Sequence, residues 1–123
     1  MYIHNHNMRH FYRVIISMVN QMDGSRRIEG WTFFSNNAHV LVCLTHTPQP
    51  TTREIAVQVG ITERAVQRIV KRLVEAGVLT IKKEGRRNNY EIDIDQQLRH
   101  PLESHRTIGQ FIRLIDSESQ VVG

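Results

Sequence analysis

Apolar positions recur at helical spacing near both ends of the chain and through its middle, and switch to strand spacing in one stretch between. Over residues 7–22, Met8, Phe11, Tyr12, Ile15, Met18, Val19 and Met22 recur at spacings of three and four. That places them on one stripe of an N-terminal helix, with Arg9, Arg13, Ser17 and Asn20 opposite. The run Asp23-Gly24-Ser25-Arg26-Arg27 breaks the pattern as a loop. Trp31-Thr32-Phe33-Phe34 is dense in aromatics and is expected to pack onto a neighbouring element. Ser35 or Asn36 caps the next helix, through Ala38, Val40, Leu41 and Leu44, which Pro48 and Pro50 end. Its apolar run is almost continuous, so a central, well-covered helix is expected.

Thr51-Thr52-Arg53-Glu54 matches a capping box, in which hydroxyl and carboxylate satisfy each other's free backbone donors. The helix it opens turns Ile55, Ala56 and Val59 inward and stops at Gly60, where a left-handed residue is wanted. Thr62 caps a helix over 62–76, with Ile61 and Val66 at the two positions of a hydrophobic staple and Gly77 as the stop. Beyond Gly77 the period becomes two. Residues 78–84 and 89–94 alternate as strands, and Gly85-Arg86-Arg87-Asn88 between them reads as the turn of a β-hairpin. A C-terminal helix over 101–116 aligns Leu102, Ile108, Phe111, Ile112 and Ile115.

Composition narrows the class. A chain of 123 residues with 40% hydrophobic and 23% charged residues fits one small globular domain, 1–123. No apolar run approaches the roughly 20 residues a bilayer crossing needs. The N-terminus lacks a basic segment leading into an apolar one, so a cytoplasmic, membrane-free setting is expected. Cys43 is the single cysteine; an intrachain disulfide and a multi-cysteine metal site are excluded, and a buried hydrophobe is expected. His4, His6 and His10 cluster near the N-terminus while His39, His46, His100 and His105 are scattered, a poor match to zinc-ligand spacing. No phosphate-binding glycine loop, nucleophile elbow or carboxylate pair on a pocket wall appears; Asp93 and Asp95 read as a polar strand edge. No enzyme, metal or cofactor is expected.

Charge adds location. The chain carries a formal +4. Between Thr62 and Tyr90, eight cations (Arg64, Arg68, Lys71, Arg72, Lys82, Lys83, Arg86, Arg87) face three acids (Glu63, Glu75, Glu84), a net +5 that exceeds the whole excess. Localised basic charge is what a phosphate-binding surface requires.

The two short helices around Gly60-Ile61-Thr62 need a small residue, a permissive turn and apolar anchors, and Ala56, Gly60, Val66 and Ile69 supply them. Their order resembles the helix-turn-helix signature, and the basic hairpin adds a wing. Residues 51–94 resemble the winged-helix core of MarR-like and, more distantly, ArsR-like regulators. The resemblance implies a mainly α fold with a small β-hairpin: a winged helix-turn-helix over 33–94, flanked by N- and C-terminal helices. The paired-cysteine metal motif of many ArsR-like proteins is absent, which favours the MarR-like comparison.

At about 100° per residue, Val66, Ile69, Val70, Leu73 and Val74 share one face of the 62–76 helix, and Arg64, Arg68, Lys71 and Glu75 the other. A recognition helix needs this division. Thr62, Glu63, Arg64, Gln67 and Arg68 are the candidates for base or nearby phosphate contacts, and Lys71 and Arg72 for phosphates. In the wing, 82–90, Arg86 and Arg87 at the tip are candidates for the minor groove or backbone, with Lys82 and Lys83 secondary.

The MarR-like resemblance also implies a two-fold dimer built from the terminal helices. Phe11, Ile15, Met18, Val19, Ile108, Phe111, Ile112 and Ile115 are the candidate interface, against the alternative that these stripes are monomer core. Such a homodimer would bind double-stranded DNA at a pseudo-palindrome and act as a transcriptional regulator, repression being favoured over activation. A small-molecule effector that prefers one spacing of the recognition helices would release the DNA, though the sequence names none. Two other uses of the fold stay open: a protein–protein interaction module and an RNA-binding protein, for which Tyr90 is the one stacking aromatic near the basic surface.

Overall fold

The computed structural model describes residues 30–116. The expected helix over 7–22, with Phe11, Ile15, Met18 and Val19, lies outside the described residues. The chain forms two compact units, Met1–Lys71 and Arg72–Gly123.

In the first unit, α1 spans Asn36–Cys43 and α2 spans Thr52–Val59. Ser35 is the N-cap of α1, its hydroxyl accepting from the Ala38 amide at 3.4 Å. At the other end, Gln49 Nε2 donates to the Leu44 carbonyl at 2.9 Å, so a side chain takes over where the helical ladder stops. Val40, Leu41, Cys43 and Leu44 are buried, as the near-continuous apolar run required. α2 packs against α1 and contributes Ile55, Ala56 and Val59 to the same core. Its capping box is complete: Glu54 N–H donates to Thr51 Oγ1 at 3.2 Å, and Thr51 N–H donates to Glu54 Oε1 at 2.8 Å.

At Gly60 the chain turns with φ 86. The Ala56 carbonyl accepts from both Gly60 N–H (2.8 Å) and Ile61 N–H (3.0 Å), which closes the last turn of α2. Thr62 Oγ1 then accepts from the Ala65 amide at 3.0 Å and opens α3, Glu63–Glu75. Val66 and Ile69 are its buried residues, while Ile61 is half-buried.

The aromatics ahead of α1 differ from expectation. Trp31 and Phe33 pack edge to face on each other, centroids 4.8 Å apart, and are 76% and 87% exposed. Thr32 Oγ1 donates to the Phe34 carbonyl at 2.7 Å, curling the segment into the Ser35 cap with its rings on the outside.

In the second unit, α3 ends in a Schellman motif. Val78 N–H donates to the Leu73 carbonyl and Gly77 N–H to that of Val74, with Gly77 at φ 79. The antiparallel strands β1, Leu79–Glu84, and β2, Arg87–Ile92, pair from Leu79↔Ile92 to Glu84↔Arg87. The loop is therefore Gly85-Arg86 alone, two residues shorter than the expected 85–88. Positive φ at Gly85 (64°) but not at Arg86 fits a type II′ loop, which needs glycine only at its first position.

After β2, Asp95 N–H bonds to Asp93 Oδ1 in a turn, so these acids do not form a strand edge. The backbone of Gln96 and Leu98 then bonds to Ile108 and Arg106. That pairing moves the start of the C-terminal helix. The expected 101–116 helix is α4, Ile108–Ile115, opened by a capping box of Thr107 and Gln110; residues 101–106 are turns and Leu102 is exposed. Gly109 sits where α4 meets Ile94: its N–H donates to the Ile94 carbonyl at 2.9 Å, and a Cβ there would lie 3.0 Å from that oxygen. Val78, Leu79 and Ile108 are the buried residues of this unit among those described.

Gly60→Ala forces a Cβ into left-handed backbone and is expected to lower stability by about 1–2 kcal/mol, read as a lower urea midpoint with an unchanged m-value. An unchanged midpoint would show that the turn tolerates another conformation.

Candidate nucleic-acid interface

The surface of α3 follows from its sequence period. Val66 and Ile69 are buried and Val70, Leu73 and Val74 half-buried, so the opposite side faces water. On it stand Glu63, Arg64, Gln67, Arg68, Lys71, Arg72 and Glu75, all exposed. Among the described residues, none bonds or pairs with the side chains of Arg64, Gln67, Arg68 or Lys71. Their donors are available to a ligand. Thr62 is exposed and uses one lone pair for the cap, which leaves its O–H free to donate. Glu63 stands in the first turn, where its charge complements the helix dipole.

In the hairpin the two faces differ. Thr80, Lys82 and Glu84 share one face with Arg87, Asn89 and Glu91. Lys82 Nζ lies 3.8 Å from Glu91 Oε1, and Asn89 Nδ2 donates to Glu84 Oε1 at 2.6 Å. Two acids thus balance the two cations of that face. The Lys82–Glu91 pair is exposed at both ends, so it adds little stability. Lys83 lies on the other face with Ile81, Asn88 and Tyr90, and Arg86 occupies the loop. Lys83 and Arg86 are therefore the wing cations whose faces carry no opposing acid.

Arg53 lies ahead of the basic span 62–90. It is an exposed cation in the first turn of α2, within the same unit as Arg64 and Arg68. The capping box at Thr51–Glu54 was the signal, since it places Arg53 at a helix start.

Of the described interface candidates, Ile108 is 4% exposed and belongs to the chain's own core. It has no surface to offer a partner, because α4 begins there on the Ile94–Gln96 backbone. Phe111 and Ile112 are half-buried, whereas Ile115 and its neighbour Leu114 are exposed.

A family model described as winged helix-turn-helix DNA-binding matches residues 39–80. That segment is similar to winged helix-turn-helix DNA-binding domains, and the helices and hairpin described above have the winged helix-turn-helix order. The match begins within α1, takes in α2 and α3, and ends at the second residue of β1. No curated protein matches the chain. Among solved structures, the zinc-dependent MarR family transcriptional regulator AdcR, in its Zn(II)-bound state, is similar at 16% identity and a TM-score of 0.45, over 96% of this chain and 78% of that one. A likeness that distant carries no argument about ligands or partners. Among the described residues, no group of three or more His, Cys, Asp or Glu side chains is placed to hold a metal ion, and no helix is long and apolar enough to cross a membrane.

Within the winged helix-turn-helix, Cys43 reports on the core. Burial pushes its thiol up from 9.0 to about 12. The folded state thus favours the neutral thiol, so this contribution to stability holds below about pH 9 and is lost as the pH climbs towards 12. At pH 8 a thiol reagent is expected to leave the native protein unmodified and to react at once in denaturant. Rapid modification of the native protein would show that α1 is not covered.

Proposed function

We propose that this chain is a MarR-like transcriptional regulator that binds double-stranded DNA sequence-specifically as a homodimer and represses by occluding a promoter. The observation that carries the reading is the exposed face of α3. Arg64, Gln67, Arg68 and Lys71 offer unpartnered donors opposite the buried Val66 and Ile69, inside a segment that matches a DNA-binding family. Forked guanidinium and amide donors are the groups that pair with base edges and phosphates in the major groove. Lys83 and Arg86 serve in the wing as backbone or minor-groove contacts, with Arg53 as a further phosphate contact.

Leu114 and Ile115, exposed on α4, support an interface between copies at the C-terminal helix, with Phe111 and Ile112 contributing what surface they have. Two recognition helices in such a dimer call for half-sites about 10 bp apart.

Fluorescence anisotropy with a random-sequence duplex and with matched single-stranded RNA tests the reading. Duplex binding that weakens steeply with salt is expected. Arg64→Ala/Arg68→Ala is expected to lower the affinity at least roughly tenfold with no change in melting temperature. Preference for the RNA, or unchanged affinity in the double variant, would overturn it. Sedimentation should give a dimer at micromolar concentration; a monomer would remove the two-fold operator from the proposal.

A further inference from the structure

We infer that α3 divides its exposed face between reading and anchoring: Arg64 and Gln67 read a guanine and a nearby adenine, while Arg68 holds a phosphate. The inference rests on the DNA-binding reading and adds the base identities.

The division follows from bearings around the helix axis. At about 100° per residue, the direction opposite the buried Val66 and Ile69 is that of Arg64 and Lys71. Gln67 lies roughly 50° to one side of it and Arg68 roughly 50° to the other. Further round, Glu63 lies beyond Gln67 and Arg72 beyond Arg68. Over residues 63–72 one flank is therefore amide and carboxylate and the other guanidinium and guanidinium; Glu75, at the C-terminal end of the helix, lies on the Arg68 side. In a major groove the two flanks of an inserted helix face the two phosphate strands. Phosphates repel the Glu63 flank and attract the Arg68 flank, so the helix leans on Arg68 and turns Arg64 and Gln67 towards the groove floor. Lys71 shares the bearing of Arg64 but stands two turns further from the N-terminal end, which is the end that enters most deeply.

On the floor, the chemistry of each side chain selects its base. Arginine donates two parallel bonds to O6 and N7 of guanine. The glutamine amide accepts from N6 and donates to N7 of adenine. Arg64 and Gln67 are separated by about 4.5 Å along the axis, so their bases are one or two steps apart. Both side chains are exposed and, among the described residues, without partners, so neither must break an internal bond to reach DNA.

The test is selection of the full chain on a randomised duplex library, with Arg64→Ala, Gln67→Ala and Arg68→Ala in parallel and thermal melts to confirm folding. The expected motif contains a guanine and an adenine one or two steps apart. Arg64→Ala should reduce the guanine preference from roughly tenfold to hundredfold to near none, and Gln67→Ala should do the same to the adenine. Arg68→Ala should leave the motif intact, weaken binding to every sequence alike and reduce the salt slope by about one. Duplex binding without this motif, a motif unchanged in Arg64→Ala and Gln67→Ala, or a base preference erased by Arg68→Ala would overturn the division and leave DNA binding standing. No duplex binding at all would overturn both.

Discussion

Two short helices have to end and restart within three residues if α3 is to present one clean face, and the backbone at Gly60 makes that possible. With φ 86 it lets the Ala56 carbonyl take two amide bonds, which closes the last turn of α2, and it leaves Thr62 to open α3. A helix that continued through this point would not reset its register. The reset puts Val66 and Ile69 in the core and, by period alone, Arg64, Arg68 and Lys71 in water. The candidate surface is thus a consequence of the turn: the same three residues that stop one helix decide which side chains the next one exposes.

Charge acts on this frame without shaping it. The excess of basic residues lies on α3 and the hairpin, but exposure alone does not make each cation available. Lys82 is matched by Glu91, and Glu84 is held by Asn89 on the same hairpin face. Arg64, Arg68 and Lys71 have no such neighbours among the described residues. Pairing separates a cation already matched by an acid of its own hairpin face from those left to meet an anion.

What was legible in the sequence was local. The Thr51–Glu54 box, Gly60, the Thr62 cap and Gly77 each act through bonds to residues within five positions, and each stands where the pattern put it. The errors arose where distant segments compete. Pro101 looks like a first helical residue, yet Gln96 and Leu98 pair with the backbone of 106–108, and the helix waits for Thr107. The polar run after Gly85 looks like a four-residue loop, yet the Glu84↔Arg87 pairing needs only two. Trp31 and Phe33 look set to pack on a neighbouring element, yet they pack on each other and are exposed. For the site, the face of α3 was readable from period. The neutralised face of the wing and the role of Ile108 in the core were not, since both depend on cross-chain neighbours.

The most direct measurement is a two-dimensional amide NMR titration of the labelled chain with duplex DNA. The expected result is shifts concentrated at residues 62–71, at Lys83 and the Gly85-Arg86 loop and near Arg53, with the buried positions of α1 unmoved. Shifts confined to the exposed aromatics at Trp31 and Phe33 or to α4, with α3 silent, would contradict the claim that α3 is the surface through which this protein meets DNA.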